Sequence, residues 1–139
     1  LGSDDISGFD FVKEILDGDP TFAINFDRLQ KHPSKGYIIF EFLLCEDTQT
    51  VSPHTSHPKR YWHKNSKKFI SLFKVAKDLK AELYLVNYAK KNTTHEKEIK
   101  VIKVISLDKF GIKKEQTWDT TKEAFSKWFK KLNKECSND

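Results

Sequence analysis

Methionine is missing altogether from the 139 residues, and cysteine, proline and glycine are sparse at two, four and five. So little glycine and proline excludes collagen-like and low-complexity classes. The two cysteines, Cys45 and Cys136, lie far apart and without zinc-type spacing, which argues against a disulfide scaffold or a zinc ribbon. Such usage fits a reducing, cytoplasmic setting. No apolar run reaches transmembrane length and no charged-then-apolar leader opens the chain, so a soluble protein with no membrane partner is expected. There is no G-x-S-x-G and no glycine-rich phosphate loop, which disfavours serine hydrolases, P-loop enzymes and kinases. No internal repeat is visible. The start, Leu1-Gly2-Ser3, reads as a processed or recombinant end and the chain as a piece of a longer polypeptide.

What is present is aromatic and basic. Eleven Phe, four Tyr and three Trp within 37% hydrophobic content supply a packed core, and the length suits one domain, residues 4–135. The net charge of +5 is concentrated. Residues 57–80 carry Lys59, Arg60, Lys64, Lys67, Lys68, Lys74, Lys77 and Lys80 against Asp78 alone, so the remainder is slightly acidic. An anionic partner is expected on that segment, nucleic acid first, with a merely solvated lysine face as the plainer alternative.

Periodicity orders the elements. Residues 7–17 read as a helix with Phe11, Val12, Ile15 and Leu16 on one side and Gly18 at its end. TFAINFD (21–27) alternates as a strand, QKHPSKG turns, and GYIIFEFLLCE (36–46) follows as its hairpin partner, apolar on both faces and hence central in a sheet. Residues 47–64 form a long loop. Phe69, Leu72, Phe73, Ala76 and Leu79 then mark a helix from Ser66. Strands follow at 81–89 and 99–107, then a short final strand. Thr120 and Glu123 stand at capping-box spacing before a last helix packed through Phe125, Trp128, Phe129 and Leu132. The expected fold is an α/β domain with a mixed central sheet flanked by helices.

One residue breaks the pattern. Glu41 interrupts the apolar run from Tyr37 to Cys45, and an ionised carboxylate in such a place needs a cation, a donor or a metal. If Asn25 pairs with Glu41, Asp27 lies diagonally across on the same face, about 7 Å away between Cβ atoms. One divalent cation could bridge the two acids. Glu46, at the strand's exit, is a spare acid.

A helix, an acid-ending strand, a strand with a lone Glu, a helix and a further buried strand resemble the PD-(D/E)xK superfamily of restriction-endonuclease-like nucleases. The resemblance implies a metal-dependent phosphodiester hydrolase acting on DNA, with Asp27 and Glu41 on Mg²⁺ or Mn²⁺. Its motif lysine would fall at position 43, where Leu43 stands instead; some relatives place that lysine on the following helix, where Lys68 lies. Lys59, Arg60, Tyr61, Trp62, Lys64 and Lys67 interleave rings and cations, a pattern suited to stacking on bases and neutralising phosphates. The alternative is a non-catalytic module that binds nucleic acid or protein through residues 57–80. His54 and His57, spaced H-x-x-H, with His63 beyond, lack the helical or cysteine context of a zinc site.

Overall fold

A computed structural model describes residues 2–137. In order come α1 (Gly2–Leu16), β1 (Arg28–His32), β2 (Gly36–Leu44), a 3-10 turn (Pro58–Tyr61), α2 (Trp62–Leu79), β3 (Glu82–Tyr88), β4 (Glu98–Asp108), β5 (Gly111–Thr121) and α3 (Lys122–Cys136). The five strands form one sheet in the order β1-β2-β3-β4-β5. Only β2 and β3 run parallel, and α2 supplies the crossover that a parallel pair requires.

The sheet is covered on both faces because its interior strands carry apolar residues towards both. Ile39, Leu83, Leu85, Ile102 and Val104 meet Trp62, Phe69, Leu72 and Ala76 of α2 on one side. On the other, Ile38, Phe40, Tyr84, Val86, Ile99 and Val101 meet Leu132, with Phe125, Trp128 and Phe129 of α3 packed against them. Rings dominate this second layer: Phe40 lies 5.4 Å from Tyr84 and 5.2 Å from Phe129, centroid to centroid. Full burial of a side chain such as Phe40 or Phe69 contributes roughly 2–3 kcal/mol.

The mixed α/β sheet and the order of elements agree with the sequence reading, and β2 is an interior strand beside β3. Other expectations need correction. Residues 21–27 are not a strand; the partner of β2 is Arg28–His32, which runs into the first residues of the stretch expected to turn. Two local features set this boundary. His32 Nδ1 accepts the backbone N–H groups of Ser34 and Lys35, both at 3.1 Å, which closes a tight turn ahead of Gly36 at φ 79°. At the other end, Asp27 Oδ2 accepts the Phe42 N–H at 2.8 Å, taking the place of a ladder carbonyl. Of the alternating apolar residues in 21–27 only Phe26 packs against the α2-side core, while Ile24 is exposed and Phe22 is 91% exposed.

The α1 helix also departs from expectation, since Phe11, Val12 and Ile15 remain exposed. Its Phe9, Val12 and Leu16 line a cleft with Thr21, Ala23 and Asn25 instead of covering the sheet. α2 starts at Trp62, not Ser66, because Pro58 opens a 3-10 turn whose Lys59 N–H is capped by His57 Nδ1. The expected short last strand is eleven residues long, and it shifts the cap of α3 to Thr121, whose hydroxyl accepts the Ala124 N–H at 3.1 Å.

Candidate active site

Odd-numbered residues of β2 point towards α2, and Glu41 sits between Ile39 and Leu43 on that face with 2% of its surface exposed. Phe69 and Leu72 pin α2 to the sheet, and Lys68, just outside that apolar stripe, places Nζ 3.1 Å from Glu41 Oε2. The contact is ionic without being a well-aligned hydrogen bond, and Oε2 has no other donor. Asp27 comes from the approach to β1. Extending the Arg28↔Phe40 pairing by one residue sets Asp27 directly opposite Glu41. The register is therefore two residues away from the expected Asn25–Glu41 pairing, and because side chains alternate with period two, Asp27 keeps the same face. Three separate elements thus deliver Asp27, Glu41 and Lys68 to one point, which grades from a buried carboxylate to an exposed one and a half-exposed ammonium.

The electrostatics follow from that gradient. Burial is the largest influence on the Glu41 carboxyl, and hydrogen bonding with Asp27 adds to it; the Lys68 ammonium opposes both without cancelling them. The net result raises its pKa from 4.5 to about 7. Glu41 is therefore half protonated near neutrality unless further positive charge joins the site.

Two clefts lie nearby, one reached by Asp27 and the other by Lys68, while buried Glu41 lines neither. Asp27 with Arg28, Phe42 and Tyr88 lines one of about 500 Å³. Lys67, Lys68 and Ser71 of α2 line another of about 440 Å³ against residues 21–25. Arg28, Ser71 and Tyr88 carry no signal in the sequence that marks them out. Arg28 adjoins Asp27, but its guanidinium is held by Gln30 Oε1 and Asn133 Oδ1, both at 2.8 Å, and lies over the Phe129 ring.

The basic segment divides. Lys59, Arg60 and Lys64 are exposed around the start of α2, and Lys67 is exposed beside Lys68. Trp62, by contrast, is 5% exposed, stacks on Phe69 at 5.4 Å and donates Nε1–H to Lys109 O at 2.9 Å. Its ring has no free face for a base. Tyr61 is half-buried against the same core, and burial pushes its phenol up to about 12. These two rings anchor the loop; the cations beside them remain available.

The histidines do not converge. His54 Nε2 pairs with Thr120 O at 2.9 Å, while His57 Nε2 contacts Glu115 Oε1 at 2.8 Å. Both tie the 45–57 loop to β5. Among the described residues no group of three or more His, Cys, Asp or Glu side chains could hold a metal. Cys45 is buried just past β2 and burial raises its thiol pKa, so it is no nucleophile. Among the described residues no helix is long and apolar enough to cross a membrane. Comparison with family models, curated proteins and solved structures gave no match for this chain.

Proposed function

We propose that this chain is a metal-dependent nuclease or nuclease-like domain of the restriction-endonuclease-like type, hydrolysing phosphodiester bonds in DNA. The reading rests on one observation above the others: Asp27, Glu41 and Lys68 reach a common point from a loop, a strand and a helix. The donor set suits Mg²⁺ or Mn²⁺, hard cations that are held by one or two carboxylates and complete their shells with water and substrate oxygens. The underdonated Glu41 Oε2 and the facing Asp27 carboxylate would hold such an ion. When bound, it would supply charge for the scissile phosphate and acidify a water.

The protein's own groups have distinct parts. Asp27 orients through the 2.8 Å bond from the Phe42 N–H, leaving its other oxygen free for the site. Glu41 is held rigidly by the packed strand around it. Lys68, on a helix rather than two residues after the glutamate, presents a mobile ammonium that can leave Glu41 for a phosphate oxygen or the attacking water. Leu43, in the position of the motif lysine, packs against the α2-side core. Lys67 and Ser71 extend the polar wall along which a strand would lie.

The test is cleavage of plasmid and linear DNA in Mg²⁺ or Mn²⁺ by the wild type and by Glu41→Gln, Asp27→Asn and Lys68→Ala. Activity lost in all three with DNA retention unchanged supports the reading. A wild type that binds DNA through residues 57–80 but never cuts in either metal would make the chain a binding module, its carboxylates structural.

A further inference from the structure

We infer that the β4–β5 hairpin tip is a second nucleic-acid contact, at which Phe110 stacks on an unpaired base while Lys109 and Lys113 engage the flanking phosphates. It shares with the reading above only the class of partner and needs no metal. Asp108 pairs with Gly111, so Lys109 and Phe110 alone make the turn. Two-residue hairpin turns favour glycine, asparagine and aspartate, and a phenylalanine adds nothing to their geometry. Phe110 is nevertheless 73% exposed. The tip is also firmly held: Asp108 Oδ1 accepts the Phe110 N–H at 2.8 Å, and Lys109 O accepts the Trp62 indole N–H at 2.9 Å. Behind it, Leu107 and Ile112 pack into the α2-side core.

An ordered hairpin therefore carries an exposed ring into solvent with two ammoniums over it. One of them, Lys113 Nζ, also lies 3.8 Å from Asp108 Oδ1, and both must swing away for a base to stack. Lys109 Nζ lies 5.1 Å and Lys113 Nζ 5.8 Å from the ring centroid, with Lys114 next in sequence. A flat apolar face between flexible ammoniums matches a base between two phosphates. Membrane insertion would need several apolar side chains, and this tip has one. Position agrees as well. The Trp62–Lys109 bond joins the tip to the start of α2, whose Lys64, Lys67 and Lys68 lead to the acids. Glu41 is level with Leu85 and Ile102, so the tip lies two or three strand spacings across the sheet and about seven residues along it, roughly 25 Å from the acids and within the span of several nucleotides.

The experiment is fluorescence anisotropy of a labelled single-stranded oligodeoxynucleotide in EDTA, which removes cleavage, with a 2-aminopurine version reporting stacking. Wild type, Phe110→Ala, Phe110→Trp and Lys109→Gln/Lys113→Gln are compared. Phe110→Ala should weaken binding about tenfold and abolish the stacking signal, while Phe110→Trp retains both. The double lysine variant should lower the slope of log affinity against log salt by roughly 1–2. Because the readout is binding in EDTA, a protein that fails to cut can still pass. Unchanged affinity and stacking in Phe110→Ala overturns the inference. So does loss of binding to phosphatidylserine vesicles in that variant with oligonucleotide affinity intact, which would make the tip a membrane contact.

Discussion

Replacing Glu41 by Gln keeps the shape of the side chain and removes its charge, and the structure sets the sign of the result. The carboxyl has a pKa of about 7 in the folded protein against an ordinary 4.5, so between those values the folded state binds more protons than the unfolded. Its stabilising contribution is complete below pH 4.5 and is lost as pH rises through 7. The full shift corresponds to about 3 kcal/mol, of which about 2–3 kcal/mol disappears between pH 5 and pH 8. The amide of the variant has nothing to ionise. Unfolding by urea at fixed ionic strength should therefore show Glu41→Gln gaining about 2–3 kcal/mol relative to wild type between those pH values. Taking the difference between the two proteins cancels the titrating groups remote from Glu41, leaving its own ionisation and its coupling to Asp27 and Lys68. Breaking a buried ion pair usually costs about 3–5 kcal/mol, but Lys68, with 46% of its side chain exposed, is not stranded when its partner becomes neutral. Adding Mn²⁺ at about ten times its dissociation constant should stabilise the wild type by about 1.4 kcal/mol at pH 8 and leave the variant unmoved. A pH-independent difference, with the variant less stable by about 3–5 kcal/mol and the wild type indifferent to Mn²⁺, would refute this reasoning and make Glu41 an ionised structural partner of Lys68.

Three further outcomes follow from the same contacts. Asp27→Asn keeps an oxygen for the Phe42 N–H, so its stability in urea at pH 5 should stay within about 1 kcal/mol of wild type, while Mn²⁺ stabilisation at pH 8 disappears. Asn87→Ala removes the donor to Pro53 O and Ser56 O, at 3.2 and 2.9 Å in a site 1% exposed, and should lower unfolding free energy by about 2–3 kcal/mol, measured by chemical denaturation. Replacing the exposed Lys59, Arg60 and Lys64 with Gln should weaken DNA retention at low salt with little change in melting temperature, which column elution and thermal scans would check together.

The buried strands were legible because burial on two faces leaves an unmistakable apolar run, as from Ile38 to Leu44. The edge was not. RLQKH of β1 alternates half-buried with exposed positions up to the buried His32, carries two cations, and owes its place to backbone pairing with β2 and to the His32-capped turn. By contrast TFAINF has better strand composition and no partner. Trp62 misleads for a related reason: its neighbours Lys59, Arg60 and Lys64 are surface residues, and nothing in the local sequence announces that the indole N–H will find Lys109 O, 47 positions away.

Asp27 and Glu41 share a face despite the misplacement of the strand, and the reason is the period of β structure. Moving the pairing from Asn25–Glu41 to a register in which Asp27 faces Glu41 is a shift of two, and a shift of two preserves the face. A shift of one would have put Asp27 beside Phe40 on the α3 side, out of reach of Lys68. Lys68 was recoverable for a different reason. A lysine at the margin of a helix's apolar stripe is the one most able to reach down to the sheet it covers, keeping its stem on the apolar surface and its ammonium near solvent. Position 43 offers no such freedom, since Leu43 points into the α2-side core. A cation on the strand would be held beside Glu41 and under the helix, whereas one on α2 can stay with Glu41 or swing away towards solvent.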